Sequence, residues 1–225
     1  MPVLVNISQL ASCPPGNPQQ DAGLVDDAAV AWRGGTVSWA GPRSGLPAEF
    51  RDEPEVDAGN RLVIPGLVDC HTHLCFGGWR GDEFQWRIEG ASYQEIAESG
   101  GGIASTVSAT RSASAAELEH KAGEALDGML QLGITTVECK SGYGLDYENE
   151  LKQLEVYQRL DKAHPVDLVP TFLGAHIVPP EYRERREDYI RLLCDRLIPE
   201  VAKRGLARFC DIFVEDGAYT LDEAK

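Results

Sequence analysis

Residues 62–80, LVIPGLVDCHTHLCFGGWR, constrain this chain more than any other stretch. A run rich in Leu, Val and Ile, set between Gly59-Asn60 and Gly77-Gly78, predicts a buried strand handing over to a glycine-rich loop. Side chains alternate along a strand, so Asp69, His71 and His73 share one face while Cys70, Thr72 and Leu74 share the other. Two imidazoles therefore converge on one small volume at the carboxyl end of the strand, where loops build sites in parallel sheets and barrels. Spacing alone leaves two alternatives open, a metal site or a hydrogen-bonded polar patch.

The rest of the chain repeats the strand-and-loop theme. Residues 3–10 alternate like a strand, a proline-rich loop follows, and residues 28–32 and 36–40 read as a hairpin around Arg33-Gly34-Gly35. Short strands and turns, with no convincing helix, extend to about Gly59. Further on, Ser92 and Glu95 have capping-box spacing for a helix closed by Ser99 and Gly100 to Gly102. No Gly-Lys-Ser/Thr accompanies those glycines, which argues for a turn and not a phosphate cradle. Ser114 and Glu117 open another helix, whose stripe Leu118, Ala122, Ala125, Leu126, Met129 and Leu130 is core packing. Strands at 134–139, 166–173 and 209–214 alternate with helices marked by Leu151, Leu154, Tyr157 and Leu160, and by Tyr189, Leu192, Leu193, Leu197 and Val201, the latter interrupted at Pro199. Strand, helix, strand, helix predicts parallel βα units with right-handed crossovers, part of a barrel. Four such strands are about half of an eight-unit barrel, and a half barrel leaves a sheet edge unpaired and its inner face open.

Net charge narrows the partners. At −15 over 225 residues the chain lacks the concentrated Lys and Arg that nucleic acid requires, although one or two local arginines can still hold a small anionic substrate. Six cysteines, Cys13, Cys70, Cys75, Cys139, Cys194 and Cys210, form no C-x-x-C pair, which sets a reducing cytoplasmic location as the default. The first residues have no basic segment followed by an apolar core, and nothing approaches the ~20 apolar residues of a membrane span, so neither signal peptide nor anchor is expected.

The pattern of strand, Pro-Gly, two residues, Asp and H-x-H resembles the first barrel strand of the amidohydrolase superfamily. Within it, PGLVDCHTHL at residues 65–74, then Arg80, Glu83-Phe84, Tyr93 and Gly100 to Gly102, resembles the imidazolonepropionases of histidine degradation. TTVECKSGYGLD at residues 135–146 and PTFLGAHIVPPEY at residues 170–182 extend the resemblance over nearly all of the chain from about Leu62.

The resemblance implies an α/β fold: residues 1–61 as part of a small β-sandwich without chemistry, and residues 62–225 as the first half of a TIM-like (β/α)8 metal-dependent hydrolase barrel. It implies one metal ion, zinc or iron, on His71 and His73, with a further His and Asp and the general base expected beyond Lys225. The implied reaction is metal-assisted hydrolytic ring opening of 4-imidazolone-5-propanoate to N-formimidoyl-L-glutamate, in a homodimer without nucleic-acid or membrane partners. The resemblance also places Arg80, Tyr143 and His176 on positions that in the family contact the substrate. Without that match a surface arginine is the favoured reading of Arg80, and a lone strand-end His176 is more often structural. Tyr143, between two glycines, has an exposed hydroxyl on a turn. His120 and His164 read as solvated surface, and Lys140 as a structural lysine behind the site and not a carboxylated metal bridge. Two rivals remain: another cyclic amidase or deaminase of the dihydroorotase, hydantoinase or guanine deaminase type, and an inactive fragment.

Overall fold

The computed structural model describes residues 2–18, 20–92, 95, 101–215 and 217–225. They fall into two compact units, Met1–Gly66 and Leu67–Lys225.

In the first unit β1 (Val3–Ala11), β2 (Leu24–Arg33), β3 (Thr36–Pro42) and β4 (Glu55–Val63) form one sheet in the order β3-β2-β1-β4. The β2–β3 hairpin turns at Gly34 and Gly35, with φ of 56° and 82°, the left-handed pair that matches strand twist. Alternation on β1 buries Val3, Val5 and Ile7, which pack with Ala29 and Ala31 or Ala28 of β2. Only β1–β4 is a parallel pair. Among the described residues this unit is a single sheet.

Residues 62–74 are not one strand. Ile64, Pro65 and Gly66 break the run, leaving its start on β4 of the first unit and its end on β5 (Leu67–Thr72) of the second. Nor is β5 buried: Val68 is 65% exposed and Leu67 46%. The apolar run reported strand propensity, while exposure follows from what covers the sheet.

The second unit is built of βα steps. After β5 come α1 (Gly81–Ile88), α2 (Ile103–Ser112), α3 (Ala115–Gln131), β6 (Ile134–Lys140), α4 (Tyr147–Ala163), β7 (Asp167–Ala175), α5 (Arg186–Leu192), α6 (Ile198–Arg204) and β8 (Phe209–Ile212). The strands pair in parallel in sequence order, β5-β6-β7-β8. Ser114 and Glu117 cap α3 reciprocally, and Leu118, Ala122 and Leu126 are its buried face; Ala125 and Leu130 are exposed. The core also takes Val137, Cys139, Leu154, Tyr157, Tyr189 and Leu197, each fully buried leucine contributing roughly 1.5–3 kcal/mol. The break expected at Pro199 comes earlier, as a π-helical turn at Leu193–Leu197, which leaves Pro199 in the first turn of α6, where a missing N–H costs little. β8 stops at Ile212, and Val214 makes only an isolated bridge to Tyr219. Ser92 and Glu95 do bond reciprocally, but Tyr93 and Gly100, named above, and most of the helix expected there lie outside the described residues.

Candidate active site

The site gathers where the parallel strands end. Thr72 closes β5 by donating its hydroxyl to the carbonyl of Glu138 on β6, at 2.8 Å. Just beyond, the His73 ring lies 5.8 Å from that of His71, 4.9 Å from Tyr143 and 5.0 Å from His176, nearly parallel to the last at 16°. Tyr143 and His176 are 5.3 Å apart, edge to face. Arg80 lines a cavity of about 290 Å³ together with His73, Phe76, Trp79, Thr106 and Tyr143. All five residues singled out from the sequence therefore meet in one region of the second unit.

Electrostatics sort the rings. Burial, then the neighbouring His176 and His71, hold His73 far below the usual imidazole range, at about 3, so it stays neutral near pH 7. Its Nδ1 is buried without a hydrogen-bond partner among the described residues, an open donor-or-ligand position of the kind a metal or a polar ligand atom satisfies. Burial also lowers the pKa of His176. Its Nδ1 lies 2.9 Å from the carbonyl oxygen of Gly142, which can only accept, so in the neutral ring Nδ1 carries the proton and Nε2 keeps its lone pair. His176 can thus accept from a ligand N–H, but in this form it has no proton to offer an oxyanion. Tyr143, expected from its glycine-flanked turn to be exposed, is half-buried against the core, and that burial pushes its phenol up, against a smaller opposing effect of Arg80, keeping it a proton donor. Among the described residues Arg80 makes a loose ion pair with Glu83, at 3.7 Å.

What fixes the loop after β6 was not singled out from the sequence. Glu150, fully buried on α4, accepts from the backbone N–H of Gly142 at 3.1 Å, of Gly144 at 2.8 Å and of Leu145 at 2.9 Å. Arg111 at the end of α2 donates to the carbonyls of Gly144 and Leu145 at 2.7 and 3.0 Å, and pairs with Glu181 at 2.7 Å. These bonds satisfy a turn containing Leu145 at φ 52°, a costly conformation for a branched side chain. The available signal was Glu150 itself, a carboxylate one turn before the buried Leu154 of the same stripe.

Lys140, buried at the end of β6, is held between Glu138 at 2.8 Å and Asp211 of β8 at 2.9 Å. Burial works against its charge, but those two bonds outweigh it and raise the pKa. An ammonium paired on both sides is poorly suited to bridging metals. His120 is a surface residue, as expected. His164 is not: its side chain is 11% exposed and its Nδ1 accepts from Val166 N–H at 3.1 Å, closing the turn between α4 and β7. Among the described residues no group of three or more His, Cys, Asp and Glu side chains is arranged to hold a metal ion, so His71 and His73 would be part of a ligand set and not the whole of one.

No family model matches the chain. A protein of Myxococcus xanthus called imidazolonepropionase is 53% identical over 88% of this chain and 48% of its own length. Another of that name from Clostridium tetani is 42% identical over 99% of this chain and 55% of its own. The chain spans about half the length of the curated relatives it matches. Among solved structures, a mutant of atrazine chlorohydrolase from Arthrobacter aurescens, complexed with zinc and atraton, superposes with a TM-score of 0.54 at 13% identity, covering 93% of this chain and 46% of that one. At that identity the likeness is one of fold.

Proposed function

Because the chain belongs to the imidazolonepropionase family, we propose that it forms part of a hydrolase that opens the ring of 4-imidazolone-5-propanoate to give N-formimidoyl-L-glutamate. The observation that carries this is the meeting of His71, His73, Tyr143 and His176 at the strand ends, with Arg80 on the same cavity as His73 and Tyr143. Arg80 takes the propionate carboxylate with its forked donors, displacing the loose contact to Glu83. The protonated Tyr143 hydroxyl donates to the substrate, and Nε2 of His176 accepts from a ring N–H, selecting an orientation of the heterocycle.

The neutral His73 and its unpartnered Nδ1 fit a metal centre, and His71 and His73 would hold one ion, zinc or iron. When bound, such an ion supplies activation of water at neutral pH. We assign its remaining ligands, the general base and the rest of a (β/α)8 barrel to the length of the relatives that this chain does not span, and the first unit to one layer of a small β-sandwich. The family resemblance extends the proposal to a cytoplasmic homodimer. No helix among the described residues is long and apolar enough to cross a membrane.

The test is ring opening and metal content of the full-length protein, with His71→Ala and His73→Ala alongside. About one ion per chain and turnover, both lost in the variants, are expected. Turnover of dihydroorotate or guanine in place of the imidazolone would favour a different amidohydrolase, and activity surviving both substitutions would remove His71 and His73 from the metal centre.

A further inference from the structure

Cys75 lies two residues past His73, and both polar groups of its backbone are taken by α4. Its N–H donates to the Tyr157 hydroxyl at 3.0 Å, and its carbonyl accepts from Nε2 of Gln153. The same two side chains hold the exit of β6 with their remaining atoms. Tyr157 donates to the carbonyl of Lys140 at 2.8 Å, while Oε1 of Gln153 accepts from Gly144 N–H at 2.8 Å and Tyr143 N–H at 3.3 Å. Gln153 and Tyr157 are completely buried and stand one helical turn apart, so they occupy one face of a rigid element. That element is itself fixed by the Asp146 cap and by buried Leu151, Leu154 and Leu160.

Burial of an apolar stripe alone would be met by leucine or phenylalanine; a glutamine and a tyrosine that each bridge two loops supply partners that the backbone of those loops would otherwise lack. We propose that Gln153 and Tyr157 are positioning residues that set the spacing between the His73 loop and the Tyr143 loop, and so the 4.9 Å approach of those two rings. The proposal rests on the assignment of Tyr143 to the substrate. Neither residue touches the cavity shared by His73, Arg80 and Tyr143, and their effect on turnover runs through the loops they tie.

The experiment is a set of double-mutant cycles in the intact, metal-loaded enzyme: Tyr157→Phe and Gln153→Met, each alone and combined with Tyr143→Phe, with kcat and KM for ring opening and Tm for every variant. Displacing a substrate-contacting loop by a fraction of an ångström is expected to lower kcat/KM on the order of tenfold in each single variant. In the Tyr143→Phe background the same substitutions are expected to cost at least about threefold less, because part of their effect is already gone. Equal costs in the two backgrounds, or a lowered Tm with unchanged kcat/KM, would overturn positioning while leaving the assignment of Tyr143 intact. A Tyr143→Phe enzyme as active as the wild type would overturn that assignment and this proposal with it. Should Gln153→Met not fold, Tyr157→Phe, which removes a single oxygen, decides the matter.

Discussion

At Gly142 the candidate site leaves no room for a side chain, and Gly142→Ala puts a magnitude on that. The residue sits at φ 104°, a conformation that side-chain-bearing residues avoid. A Cβ there would stand 2.7 Å from the carbonyl oxygen of Leu173, 3.0 Å from Cβ of His176 and 3.1 Å from its Nδ1. Leu173 belongs to β7, an inner strand of the sheet, so its carbonyl has little room to retreat. The unfavourable dihedral costs about 1–2 kcal/mol. Forcing a methyl into the contact adds roughly 1–3 kcal/mol. Together they lower the stability of the second unit by about 2–5 kcal/mol, which at ~2–4 °C per kcal/mol is a fall in Tm of some 4–20 °C. Calorimetry reads it directly. The control is Gly34→Ala, where φ is 56° but nothing lies within 4 Å, so only the conformational cost of about 1–2 kcal/mol applies. A Gly142→Ala protein that melts within about a degree of the wild type would show that the approach of β7 to this loop is wrong.

Three other outcomes follow from features away from that loop. Gly128→Ala on α3, an exposed helical glycine with open space around it, should raise stability by about 0.5–1 kcal/mol in urea unfolding; a loss would mean that α3 packs differently. Iodoacetamide at pH 8, followed by mass spectrometry, should label Cys13, Cys70, Cys194 and Cys210 of the native chain but not Cys75 or Cys139, whose buried thiols are pushed up, Cys75 to about 12; rapid labelling of all six without denaturant would contradict the core. Glu223, paired with Arg186, is held down at about 2, against an ordinary 4.5. A depressed carboxylate stabilises the fold above its unfolded pKa and loses that contribution as pH falls, so acid titration from pH 5 to pH 2 should destabilise the wild type more than Glu223→Gln; parallel curves would dissolve the pair.

The grouping of the candidate side chains was legible because a period-2 strand puts Asp69 and His71 on one face, with His73 just past its end, and because Tyr143 and His176 follow strands that end at the same side of a parallel sheet. The capped helix α3 was equally plain, since Ser114 and Glu117 state its start locally. Tertiary context hid the rest. The break between β4 and β5 falls at Ile64-Pro65-Gly66, a turn signal that the flanking apolar residues masked, and pairing partners assign the two ends to different sheets. The backbone bond that buries His164 in a turn, and the loops gathered by Glu150, Gln153 and Tyr157, join residues whose partnership depends on which strands neighbour each other. On α4 the polar members of a buried stripe were the one local hint, because a carboxylate at 0% exposure must find donors.

The uncovered outer strands of the β5–β8 sheet have a colloidal consequence. Val68 at 65% and Phe209 at 54% exposure sit on strands with one free edge each among the described residues, a template for lateral stacking between copies of the 225-residue chain. What opposes it is mutual repulsion from a net charge of −15, which reaches about 30 Å at 0.01 M salt but only about 8 Å at 0.15 M. Light scattering by this polypeptide should therefore climb with added salt, the reverse of what an ion-pair contact would give, and dilute buffer is the medium in which it stays dispersed.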